Sequence, residues 1–181
     1  LGIGAGQGLG SIISKEVGIN NLFMIASLVA VLSGILIATI METLQNKQKF
    51  KPEFLKIGIH EVFEPSVMPS AIVMFLSASC SGVIFVLTPE MSKFLHIENK
   101  GWFFIFYVMT TILVRLFFSS VSDKIGRRKT LLIGMSFLAL SMIFIGYSYN
   151  LLTYTLASIV FGIATGITSP TIFAWTADLS H

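Results

Sequence analysis

Five apolar runs, Leu22–Met41, Val67–Thr88, Gly101–Val121, Thr130–Ser148 and Leu151–Phe173, are separated by short polar stretches. Crossing about 30 Å of hydrocarbon as a helix takes about 20 residues, so each run is long enough, or nearly so, to span a membrane. The pattern predicts an all-α fold, a polytopic transmembrane helical bundle of five spans. Leu1–Ser14 is too short to span and too apolar for a free tail, and reads as the end of a helix that begins upstream. Polar Lys15–Asn21 reads as a turn, and the ends of the chain look cut from a longer protein.

Composition supports the membrane reading. Hydrophobic residues make up 54% of the chain and charged ones 12%, against roughly 25% charged in a soluble domain. Cys80 lies inside an apolar run, so one sulfur supports neither a disulfide framework nor a thiolate metal site. The net charge of +3 does not point to nucleic acid, because the basic residues flank apolar spans as topology signals do.

The longest polar segment, Glu42–Glu64, carries Lys47, Lys49, Lys51 and Lys56 and divides the chain. Residues 1–41 form one hydrophobic block, 42–66 a linker and 67–181 a second block. Phe54–Phe63 mixes apolar and charged positions as a helix lying on a membrane surface does. With spans alternating, one side receives the four linker lysines with Lys124, Arg127, Arg128 and Lys129, and the other only Lys15, Lys93 and Lys100. The linker 42–66 and the loop 122–130 are therefore expected to be cytoplasmic.

Several motifs invite chemistry that their spacing does not support. The glycines from Gly2 to Gly10 fit neither dinucleotide nor phosphate-loop spacing; Gly2, Gly6 and Gly10 instead recur every four residues, as on a helix face built for close packing. His60-Glu61 lacks a second His, and His96 and His181 are isolated, so no metal, cofactor or catalytic residue is expected. Ser70, Ser77, Ser81 and Thr88 fall on one face of their run, which suits lining a cavity or contacting another helix. Ser158, Gly162 and Gly166 recur every four residues and require a closely packed neighbour, and Pro170 suits a bend near a cavity.

Arg115 is the charge clearly inside a span, a functional candidate by default. It precedes Asp123 by about 12 Å of helix rise, within snorkelling reach of headgroups. The octapeptide Ser122–Lys129 then packs Asp123, Lys124, Arg127, Arg128 and Lys129 into one turn between apolar runs. Arg127 or Arg128 is positioned to pair with Asp178, near the end of the last run.

Asp123, Lys124, Gly126, Arg127 and Arg128 resemble the signature G-x-x-x-D-[RK]-x-G-[RK]-[RK] of the major facilitator superfamily of secondary transporters, with Ser119 at the first Gly position and Arg115 where many members carry Arg. The resemblance implies a partial fold of that superfamily, from the end of helix five to helix ten, in which residues 42–66 join the two halves. The Gly-rich start is similar to the helix-five motif of drug–proton antiporters, with Gln7 where that motif has Pro. The family implies a transporter rather than an enzyme, moving a small-molecule substrate, drug-like or sugar-like, by alternating access in a membrane lipid setting such as a bacterial inner membrane. It also implies that Asp123 helps hold the cytoplasmic side shut. Coupling to protons stays open, because no Asp or Glu lies within the five runs.

Overall fold

The computed structural model describes residues 2–40, 64–118 and 121–180, which are predominantly helical with no strand among them. The helices are α1 (Gly2–Thr39), α2 (Met68–Phe94, entered through a 3-10 turn at Pro65–Val67), α3 (Trp102–Phe118), the short α4 (Val121–Ile125), α5 (Arg127–Gly146) and α6 (Leu151–Leu179). Most of the linker, with His60 and Glu61, lies outside the described residues, as do Ser119 and His181. Segments Gly6–Thr39, Pro65–Phe94, Arg127–Gly146 and Leu151–Leu179 are long and apolar enough to cross a membrane, and α3 is a shorter apolar helix. Its 17 residues stand at the lower limit of a spanning helix.

Several element boundaries differ from the hydropathy pattern, among them the end of α6, which runs past Phe173 to Leu179. Within Lys15–Asn21 the backbone leaves helical geometry at Gly18 (φ 77°, ψ 162°), a conformation that favours glycine, so two helical stretches meet at a kink where the sequence predicts a turn, a one-residue break rather than a seven-residue loop. Helix α2 runs past Thr88 and through Pro89 to Phe94, so the expected loop Pro89–Lys100 begins a turn and a half later. Proline removes one backbone hydrogen bond without obliging the helix to end, and Glu90 and Lys93 pair at 2.6 Å on the exposed side of this extension. Helix α5 begins three residues earlier than its apolar run, at Arg127.

The chain forms two compact units, Leu1–Ile12 with Ser66–His181, and Ile13–Pro65. The second unit contains the rest of α1, an apolar helix carrying Leu28, Leu32 and Leu36 on exposed surface. In the first, the opening residues of α1 meet the start of α3: Ser11 donates to Asn99 Oδ1 at 2.9 Å, and a Cβ on Gly101 would lie 2.9 Å from the Gly8 carbonyl. Gly8 therefore makes the close approach, whereas Gly2 and Gly6 of the expected face have open space beside them.

Helix α6 is the centre of this unit, packed principally against α5 and α3, with α2 touching α6 and α5. Its small residues set the spacing. A Cβ on Gly162 would lie 2.7 Å from Thr110 Cβ and 2.9 Å from the Tyr107 carbonyl, and one on Gly166 would lie 2.9 Å from Val114 Cγ1. On the other side a Cβ on Gly134 of α5 would strike the Thr168 hydroxyl. Between lipid-like surroundings, van der Waals contact at such distances replaces the hydrophobic effect as the attraction between helices.

Towards the start of α6 the core is aromatic. Phe85 of α2, Phe104 and Tyr107 of α3 and Phe161 of α6 stack edge or tilted at centroid separations of 5.0 to 6.0 Å, distances at which ring quadrupoles attract. The Tyr154 hydroxyl donates to the Thr88 carbonyl and shares a hydrogen bond with Ser92, both at 2.9 Å, and all three residues are sealed from solvent. Asn150 caps α6 reciprocally with Thr153, satisfying amides that the first turn leaves without partners.

Candidate functional site

The charged octapeptide folds as a helix, a break and a new helix. Gly126 adopts φ 96° and ψ 145° between α4 and α5, a region open essentially to glycine alone. Its carbonyl then accepts from the Thr130 amide at 3.1 Å and the Thr130 hydroxyl at 3.0 Å, starting α5.

This break sets Arg127 at the meeting point of three helices. Its Nε donates to Asp178 Oδ2 on α6 at 3.0 Å, and its Nη1 donates to Asp123 Oδ1 at 2.5 Å and to the Ser122 hydroxyl at 2.9 Å on α4. One guanidinium thus joins α4, α5 and α6 through two carboxylates. Both carboxylates are open to solvent, with side-chain exposures of 64% for Asp123 and 55% for Asp178. Of the two arginines in reach by sequence, Arg127 makes the pair with Asp178. Arg128 is exposed and borders a different, apolar pocket beside Val73 and Trp175. Lys124 and Lys129 are exposed.

Beneath the network lies a cavity of about 450 Å³ reached by Arg115, Asp123, Arg127, Thr130, Pro170 and Thr171 among others. Arg115 is half-buried, and its Nε is shut off from solvent without a hydrogen-bond partner. Arg115 therefore shares a cavity with the signature residues that follow it.

The four-residue hydroxyl face of α2 divides in the structure. Ser70 and Thr88 are buried between helices, Ser70 accepting from Thr176 at 3.0 Å and Thr88 donating back to the Ile84 carbonyl. Ser77 and Ser81 instead border a pocket of about 140 Å³ with Met74, Ala78, Ile172, Phe173 and Ser169 of α6. Ser169 and Ser122 were not singled out by sequence pattern. Ser169 precedes Pro170 inside an apolar run, and a serine's partner on another helix leaves no local spacing to detect.

Against known families, the model of the Major Facilitator Superfamily matches residues 1–181. The chain belongs to the major facilitator superfamily. No curated protein and no solved structure matches it. Members of this superfamily are membrane transporters rather than enzymes, and the apolar helices agree with an integral membrane protein. In this superfamily chain the signature loop is thus a folded turn, whose Asp and second basic position meet on one guanidinium and whose Gly makes the break between α4 and α5.

Proposed function

We propose that the chain is part of a secondary transporter that moves a small solute by alternating access, and that the Arg127 network is a releasable clasp on its cytoplasmic side. The observation that carries this is the joining of α4, α5 and α6 by one arginine through two solvent-open carboxylates. Exposed ion pairs contribute about 0.2–1 kcal/mol each. These contacts lie within the second hydrophobic block, where they hold the arrangement of its helix ends yet break at little cost when those helices shift during alternating access.

The cytoplasmic assignment follows the excess of Lys and Arg on that side of the spans. The solute would pass the Ser77, Ser81 and Ser169 pocket, which offers hydroxyls from α2 and α6 and no charge. The Ser81 hydroxyl donates to the Ser77 carbonyl at 2.9 Å. Among the described residues the lining of that pocket holds no carboxylate.

Asp123→Asn removes one arm of the clasp and keeps its shape. In the full-length protein it is expected to slow solute flux in proteoliposomes while leaving the amount in the membrane unchanged. Unaltered flux would remove Asp123 from the gating role.

A further inference from the structure

The Arg127 side of the cavity is electrically satisfied, and the Arg115 side is not. Arg127 has two carboxylates; Arg115, which lines the same 450 Å³ space, has its Nε buried and makes no hydrogen bond or ion pair among the described residues. A buried guanidinium N–H without an acceptor leaves hydrogen-bonding capacity turned toward the cavity, and the planar fork fits the oxygens of a phosphate or carboxylate. The space is much larger than a single oxyanion. Its lining also mixes polar Thr130 with apolar Phe118, Ile167, Pro170 and Ala174, which suits a molecule with one anionic group and an apolar remainder. Phe117 and Phe118 at the end of α3 are 76% and 54% exposed, leaving an apolar surface beside the cavity. Exposed Lys124, Arg128 and Lys129 surround the same turn with positive charge, which concentrates anionic lipids near a membrane surface.

We infer that Arg115 holds the phosphate of an amphiphilic ligand, a membrane phospholipid headgroup entering the cavity between α3, α4, α5 and α6. The inference rests on the membrane placement of the chain and not on the transport reading, so loss of one leaves the other standing. A free phosphate shares the recognised chemistry, and the test separates the two sources.

Full-length protein, wild type or Arg115→Gln, is offered equal phosphatidylglycerol and phosphatidylcholine in neutral detergent, and the retained lipid is counted by native mass spectrometry. The wild type is expected to prefer phosphatidylglycerol, with retention falling on the order of tenfold in Arg115→Gln as a charge-assisted fork is lost. Lys129→Gln, an exposed cation outside the cavity lining, is expected to change retention less than about twofold, as screened surface charges do. Inorganic phosphate is then added at constant ionic strength. Arg115-dependent retention that resists phosphate identifies the lipid as the source; displacement by phosphate supports the same site with a soluble competitor. Equal phosphatidylglycerol retention in wild type and Arg115→Gln overturns the inference. Should Arg115→Gln fail to accumulate, Ala174→Phe fills the cavity from α6, and undiminished phosphatidylglycerol retention in that variant overturns it equally.

Discussion

At its start α6 is held by Tyr154, sealed from solvent and hydrogen-bonded to Thr88 and Ser92 of α2; near its other end it is held by Asp178, 55% exposed and bonded to Arg127 of α5. The two attachments lie about 36 Å apart along the helix. Both use a polar side chain to tie α6 to a neighbour, and they differ in what replaces the bond when it breaks. Around Tyr154 an opened bond leaves a dry, unsatisfied hydroxyl among aromatic rings, which is costly. Around Asp178 water takes over at once, so separation is cheap. Helix packing is tight between them, and the more readily broken attachment is the charged one.

Substitutions can break or sharpen that contrast. The largest effect is expected midway along α6. Gly162→Leu would drive a side chain into the Tyr107 carbonyl and Thr110, and overpacking of this kind costs about 3 kcal/mol; membrane yield and thermal unfolding of the full-length protein are expected to drop. Tyr154→Phe comes next. It removes two buried hydrogen bonds but leaves Ser92 bonded to the Thr88 carbonyl at 3.2 Å, so a loss of about 1–2 kcal/mol in unfolding free energy is expected.

Arg127→Gln releases both carboxylates, yet its pairs are exposed, and stability is expected to fall by no more than about 1 kcal/mol. Its effect belongs in flux and conformational equilibrium, where Tyr154→Phe should have little. Arg128→Gln is expected to be smallest, within about 0.5 kcal/mol in thermal unfolding, because Arg128 is exposed and forms no ion pair with the Asp residues that Arg127 holds. A stability loss as large as that of Tyr154→Phe in either arginine variant would erase the distinction between the two ends.

How far these features were legible in the sequence depended on the range of the signal. Apolar length is local, so the helices of the bundle and the need of Gly162 and Gly166 for a close neighbour could be read directly. The partnership of Asp178 with Arg127 or Arg128 was also readable, because both segments sit at helix ends on the same side, but the choice between arginines required the turn that Gly126 makes. Polar residues misled where a helix tolerates them. Pro89 reads as an end although α2 continues to Phe94, while the turn read over Lys15–Asn21 narrows to a kink at Gly18. The serine face of α2 was read as suiting either a cavity or another helix, and both uses occur along it. Periodicity places Ser70, Ser77, Ser81 and Thr88 on one side of a helix, while the depth of each against α6 decides whether it meets a neighbour or a pocket. Arg115 was visible as a buried charge, but its want of a partner was not.

The most direct test of the charged end as the movable one is the reactivity of a single cysteine inside its cavity. Ala174→Cys, in full-length protein with Cys80 and every other native cysteine replaced by Ser, is labelled with a membrane-impermeant thiol reagent in open membrane sheets, where both faces are accessible. Arg127→Gln is expected to raise the labelling rate by about fivefold or more, as a lowered local opening energy does, while Tyr154→Phe leaves it within about twofold. An unchanged rate in Arg127→Gln, or an equal rise in Tyr154→Phe, would contradict the account.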